Sequence, residues 1–204
     1  KVVQGLMAGM MSTMPVTLGV ALLSILVGLP IPPLQDFLNS TGLASVINDV
    51  LVVTMNLGAL YMCASVSHSF GEVLGNKGMA SVVASIGVAL LLIPLGRTED
   101  GMTFIPTTYM GSNGLFVALV VALVVPALLH FLMKHIAVPL PDSVPPFVSN
   151  SLSPMLCAIV IFTSFTLLKW GMTFTAWGDI YTAVNAIIST PVMGLGSSPA
   201  AVLI

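Results

Sequence analysis

Gly5-Leu-Met-Ala-Gly-Met-Met-Ser-Thr-Met-Pro-Val-Thr-Leu-Gly-Val-Ala-Leu-Leu-Ser-Ile-Leu-Val-Gly-Leu29 carries no charged residue from end to end. It is longer than the ~20 apolar residues a helix needs to cross the hydrocarbon core of a bilayer, at about 1.5 Å of rise per residue. It is also too long, and followed by too many similar runs, to be a secretory signal peptide. Four more runs read the same way: Val50–Val66 (reaching back to Leu43 if Asp49 is tolerated), Gly78–Leu95, Gly114–Met133 and Leu152–Leu168. Composition agrees. With 5 Lys/Arg and 7 Asp/Glu in 204 residues the chain is 6% charged and 57% hydrophobic, whereas roughly a quarter of a soluble domain is charged. Such a surface cannot be covered by groups compatible with water, so lipid is the solvent over most of it. The predicted fold is all-α: a polytopic helical membrane protein with about five transmembrane helices plus interfacial amphipathic helices.

The segments between the runs set the topology. With the N-terminus inside, Lys1, Lys77 and Lys134 are cytoplasmic, while Arg97 and Lys169 are outside; this is the orientation the positive-inside rule favours. Pro32-Pro-Leu-Gln-Asp-Phe-Leu-Asn39 predicts a short interfacial helix with Leu34, Phe37 and Leu38 on one face. Gly101–Gly114 alternates apolar and small polar residues between glycines and predicts a hairpin or irregular loop. Val138–Pro146 carries four prolines and predicts a rigid extended segment, because each proline removes a donor and excludes the α region before it. Phe174–Ser189, with Trp177, Asp179, Tyr181 and Asn185, predicts an amphipathic helix with an aromatic anchor. Lys1 is not an initiating residue, and Pro199–Ile204 opens another apolar run. The chain is therefore expected to continue into a further membrane helix.

Residues that could carry chemistry are few. Asp49 reads as an interfacial residue or cap, Asn56 as a polar contact between helices, and His68 with Glu72 as a solvated pair at i, i+4. His130, Lys134 and His135 close the fourth run, where cations complement the helix dipole and anchor at headgroups. The methionines of the first run read as flexible packing. Gly5, Gly9 and Gly19 would permit close helix approach, as at a subunit contact. Cys63 and Cys157 read as small buried hydrophobes, with no further ligands at metal spacing. No metal, no cofactor and no nucleic-acid partner is expected, and no catalytic residues are expected within this chain. Transporter, membrane scaffold or dimerisation module, and unrelated secondary transporter all remain open on the residues alone.

Two segments narrow this. Pro141-Asp-Ser-Val-Pro-Pro-Phe-Val-Ser-Asn-Ser151 resembles the Met-Pro-Asp/Glu-Ser-Val-Pro-Pro segment of the sugar-specific enzyme IIC permeases of the bacterial phosphotransferase system. It resembles in particular the lactose/cellobiose/diacetylchitobiose branch. Tyr109-Met-Gly-Ser-Asn-Gly-Leu-Phe116 is similar to that family's Tyr-Leu-Gly-Ala-Lys-Gly-Leu-Phe, and the helix around Ser12-Thr-Met-Pro15 to its opening helix. Departures stand at Asn113, where the family has Lys, and at Leu152-Ser153, where it has Leu-Phe.

The resemblance implies the N-terminal half of a permease in the bacterial inner (plasma) membrane. Residues 1–172 would form the helical membrane domain that carries a homodimer interface. Residues 173–204 would form an amphipathic connector and the start of a transport domain. It implies a disaccharide substrate, such as cellobiose or diacetylchitobiose, and a cytoplasmic IIB partner that phosphorylates it. The family's Gly-Ile-His-Gly histidine and its later glutamate would lie beyond Ile204. Within this half the substrate-contact candidates are Asn113 in its loop and Asp142, Ser143 and Asn150 around the proline-rich turn.

Overall fold

The computed structural model describes residues 2–76, 79–135, 146–184 and 186–187, of which 146–153 are described as backbone. The first run forms α1, Val2–Gly28. The predicted interfacial helix is α2, Pro32–Ser40, with Pro32 and Pro33 in the first turn, where a missing N–H costs nothing. Beyond it come α3 (Leu43–Met55), α4 (Gly58–Leu74) and α5 (Ala80–Leu92). Two-residue strands β1 (Gly96–Arg97) and β2 (Thr103–Phe104) pair antiparallel, and 3-10 turns follow at Thr107–Tyr109 and Ser112–Gly114. The helices α6 (Leu115–His135) and α7 (Pro146–Met172) complete the bundle. Pro146 opens α7; the rest of the predicted extended segment lies outside the described residues.

The second apolar run is not one helix. It divides at Asn56-Leu57, between α3 and α4. In an unbroken helix the Ala59 N–H would bond to the carbonyl of Met55; instead it donates to Met110 O at 2.8 Å. The loop before α6 thus supplies the acceptor at the break. By length and apolarity, α1, residues 112–135 and residues 154–172 can each cross a membrane. The helices α2 and α3, bent by 84°, make a fourth span if counted together. The expected count of about five is therefore approximate, because α4 has 17 residues and α5 only 13. A 13-residue helix rises about 20 Å, short of the ~30 Å hydrocarbon core. Most of α5 is buried, in contact with α4, α6 and α7.

The centre of the molecule is α4, which packs on α1, α5 and α6. Cys63 and Val66 of α4, Val88 of α5, Val125 of α6 and Cys157 and Ile161 of α7 are fully buried in one core. Both cysteines are free. The antiparallel crossing of α1 and α4 is set by glycine. A Cβ on Gly9 would lie 2.5 Å from Val66 Cα, and one on Gly5 would lie 2.9 Å from Phe70 Cα. Ser12 and Ser65 continue the seam: Ser12 Oγ donates to Gly9 O at 2.8 Å, and the Ser65 hydroxyl, 2.8 Å from the same carbonyl and against Ser12 Oγ, shares its single hydrogen between the two. The expectation of a subunit contact at these glycines is corrected for Gly5 and Gly9. They make an intramolecular contact, while Gly19 has nothing within 4 Å of a Cβ position.

These contacts give the bundle two ends. Gly5, Phe70, Asn76 and His130 share one. The α3–α4 break, the β1–β2 hairpin and the C-termini of α5 and α7 share the other. There Lys169 Nζ donates to Leu91 O at 2.6 Å and Ile93 O at 3.0 Å. The C-terminal carbonyls of a helix lack partners within it and carry its negative pole, so the ammonium caps α5 from α7. Replacing Lys169 by methionine leaves both carbonyls without it, and the expected loss is about 2–3 kcal/mol. A melting curve in detergent checks this, with Lys169→Arg expected to recover part of the loss.

After α7 the chain turns through residues 173–178, with Gly178 at φ 71°. Asp179 then caps the next helical stretch. Thr182 N–H donates to its Oδ1 and Thr182 Oγ1 to its Oδ2, both at 2.8 Å. The predicted helix over 174–189 therefore starts later than expected, because a glycine with positive φ and an aspartate cap outrank the amphipathic pattern before them.

Candidate functional site

A polar cavity of about 200 Å³ opens where α3 gives way to α4, lined by Asn56, Thr107, Thr108, Gly111, Ser112 and Asn113. It brings together two residues far apart in sequence: Asn56 and Asn113. Two features build it. The α3–α4 break frees Asn56 from a helix interior, and the Tyr109–Leu115 loop folds over it. Gly114 makes that fold possible, since a Cβ there would overlap the carbonyl oxygen of Tyr109. Beneath the loop, Tyr109 meets Tyr181 edge-on, with ring centroids 5.1 Å apart. Tyr181 is 2% exposed and its hydroxyl donates to Ala89 O at 3.4 Å. Burial pushes the Tyr181 phenol pKa up, with the Cys63 thiol and the Asp179 carboxylate adding in the same direction. It therefore remains a neutral donor and a fixed floor for the loop. The cavity offers amide and hydroxyl groups with no ionisable side chain among its lining residues. That set suits hydrogen bonding to a neutral, hydroxyl-rich molecule and supplies no acid, base or nucleophile.

Of the predicted contact residues, Asn113 lines this cavity, at the N-terminal end of α6. Asp142 and Ser143 follow the other end of α6 and lie outside the described residues. Asn150 falls near the start of α7, where only the backbone is described. Asn56 is corrected from a contact between packed helices to an exposed residue at a helix break. Asp49 is neither a cap nor at a helix end; it is exposed within α3, whose N-cap is Gly42. His68 and Glu72 form an exposed pair at 3.5 Å, in keeping with the solvated reading. Among the described residues no group of His, Cys, Asp or Glu could hold a metal ion.

At the opposite end, sequence reasoning missed Asn76. It is 8% exposed and joins three elements. Its Nδ2 donates to Ser81 Oγ at 3.1 Å and to Pro126 O at 3.0 Å. The Pro126 carbonyl can only accept, which fixes the amide orientation. The Oδ1 atom therefore faces His130 Nδ1 at 3.2 Å, and that nitrogen carries the hydrogen. His135 instead folds back on its own helix, donating from Nδ1 to Phe131 O at 2.8 Å. The signal available in sequence was Gly75-Asn76, a helix stop directly after α4.

The family model described as "Phosphotransferase system, EIIC" matches residues 7–204. The chain belongs to this EIIC family. Its helical fold and membrane-spanning helices make this EIIC chain a multi-pass protein of the bacterial plasma membrane. It is 30% identical over 97% of its length to the galactose-specific EIIC component of Lactococcus lactis subsp. cremoris (strain MG1363), covering 48% of that protein. It is 25% identical over 96% of its length to the lichenan permease IIC component of Bacillus subtilis (strain 168), covering 46% of it. In structure it is similar to the transporter ChbC, the IIC component from the N,N'-diacetylchitobiose-specific phosphotransferase system. The TM-score is 0.82, with 26% identity over 96% of this EIIC chain and 49% of that one. The chain thus spans about half the length of the relatives it matches. The resemblance carried by Tyr109–Phe116 and Pro141–Ser151 pointed to the same family.

Proposed function

We propose that this EIIC chain is the N-terminal half of a sugar permease that takes up a disaccharide such as cellobiose or diacetylchitobiose while a cytoplasmic IIB protein phosphorylates it. Family membership over residues 7–204 is the observation that supports this most. The physical logic of such uptake is simple. Phosphorylation adds about 1.5 to 2 negative charges at neutral pH, and a bilayer does not readmit the product. In this reading residues 1–172 form the membrane domain that pairs two copies, and residues 173–204 lead into the transport domain. The N-terminus is inside, so the cavity of Asn56 and Asn113 faces out, on the side from which sugar arrives. Its amide and hydroxyl lining supports a role in admitting sugar.

The test uses the full-length protein in vesicles with a IIB partner and its phosphate donor. Radiolabelled cellobiose, diacetylchitobiose and galactose are offered in turn. One of the two disaccharides is expected to accumulate as its phosphate, only when IIB is present. Accumulation of unmodified sugar overturns the transport mechanism, and phosphorylation of galactose alone overturns the disaccharide assignment. Asn113→Ala is expected to raise KM about 2- to 12-fold at nearly unchanged maximal rate, the loss of one hydrogen bond to bound sugar. An unchanged KM removes Asn113 from the substrate path.

A further inference from the structure

A cavity of about 500 Å³ lies between α1, α3 and α4, well apart in character from the polar one. Four Ser/Thr residues line it beside Tyr61, and each of the four spends its hydroxyl hydrogen elsewhere. Ser12 donates to Gly9 O at 2.8 Å, Thr13 to Met10 O at 2.9 Å, Thr17 to Met14 O at 2.9 Å and Thr54 to Val50 O at 2.6 Å. Each donates its hydrogen to a carbonyl of its own helix, so none of the four brings a free donor to the cavity. Val16, Val20, Met55 and Met62 supply the rest of the wall, and Leu115 of α6 contributes to it. Val16 and Met55 are 63% and 48% exposed. The crevice therefore opens sideways through the flank of α1, a helix long and apolar enough to stand in lipid.

A wall that is almost wholly apolar, with its Ser/Thr hydrogens already spent and Tyr61 as its one unpartnered donor among the described residues, disfavours sugar and water, since most polar groups entering it would lose their hydrogen bonds. Volume narrows the occupant further. A protein cavity of about 150 Å³ holds one benzene, so at that density this crevice takes about twenty carbons. That is one acyl chain, and more than any single side chain of a docking protein would fill. Tyr61 lines the same crevice, is 47% exposed, and among the described residues its hydroxyl has no protein partner. An apolar body with a polar tip suits the boundary between acyl chain and glycerol ester.

We propose that this crevice is a binding site for one phospholipid acyl chain, held against α1 and α4 and bounded by α3. In this role the lipid is a wedge. It fills the space between α1 and an α3 helix whose only buried residue is Ile47.

The test places full-length protein in phosphatidylethanolamine/phosphatidylglycerol liposomes with a trace of phosphatidylcholine bearing a diazirine at the end of one acyl chain. Irradiation is followed by digestion and peptide mapping. Crevice residues of α1 and residues 54–62 are expected to label about tenfold more than the outward Leu18 and Leu22, a preference of about 1.4 kcal/mol. Thr17→Phe, which fills the crevice, is expected to abolish that excess and leave labelling of Leu167 on α7 unchanged. If Thr17→Phe does not fold, Thr54→Leu is expected to reduce the excess in the same place. Equal labelling of inward and outward residues overturns the proposal, as does an excess that survives the filled crevice. Crevice residues that stay unlabelled while Leu167 labels show that protein, a second copy or another part of the full chain, covers the site, and that also overturns it.

Discussion

Gly9→Leu will separate α1 from α4. Even a Cβ at this position falls 2.5 Å from Val66 Cα and 2.8 Å from Val66 N. These are backbone atoms in the middle of a helix, so no rotamer change relieves the overlap and a whole helix must move. Overpacking against a yielding side chain costs about 1–3 kcal/mol; against backbone at the centre of the bundle the expected cost is at least about 3 kcal/mol. For a chain of this size that lowers the melting temperature by roughly 6–12 °C. The displacement also parts Ser12 from Ser65 and removes the second donor from Gly9 O. The control is Gly19→Leu on the same helix, where nothing lies within 4 Å. It is expected to leave the melting temperature at or slightly above that of the parent, since leucine favours helix over glycine by roughly 0.5–1 kcal/mol. Equal losses at the two positions would mean that the close crossing is not what holds α1.

Gly114→Ala is expected to have the second-largest effect, and a more local one. A methyl group here overlaps the carbonyl oxygen of Tyr109 and lies 2.7 Å from its carbonyl carbon. The loop has to open. With it go Met110, whose carbonyl receives the Ala59 N–H at the head of α4, and the Tyr109–Tyr181 contact. Loss of the buried Ala59 bond and of that ring contact sums to about 2–4 kcal/mol. The signature differs from that of Gly9→Leu. Hydrogen exchange should accelerate first at Ala59 and along the Tyr109–Leu115 loop, while the α1–α4 crossing keeps its protection. Gly171→Ala, with nothing near its Cβ position, is expected to stay within about 0.5 kcal/mol of the parent. Uniform exchange across the bundle would show that Gly114 has no special place in the loop.

What the sequence disclosed and what it withheld divide along a physical line. Hydropathy marked α1, α6 and α7, and the prolines at 32 and 33 marked the start of α2, because these features act over a turn or a span of the chain itself. The α3–α4 break was harder to see. Asn56-Leu57-Gly58 is a turn signal, but the apolar residues on both sides dominate any average over a span. What decides the break is an acceptor brought from residue 110, and no local pattern announces it. Lys169 read as a loop cation because its partners, the carbonyls of Leu91 and Ile93, are backbone atoms on another helix. Asn76 passed unnoticed for a similar reason: its value lies in meeting Ser81, Pro126 and His130 at once. At the candidate site Asn113 was legible from its motif, whereas Asn56 joined it only through tertiary folding. The four Ser/Thr residues of the apolar crevice are polar by type, but their hydroxyl hydrogens are taken up by their own helices.

The bonds of Asn76 have a consequence for how this end of the bundle is tied. One small amide reaches Ser81 of α5 and both Pro126 and His130 of α6, so two helices are pinned together by the residue that follows a third. The amide acts as a rivet, and cutting it frees three elements at once.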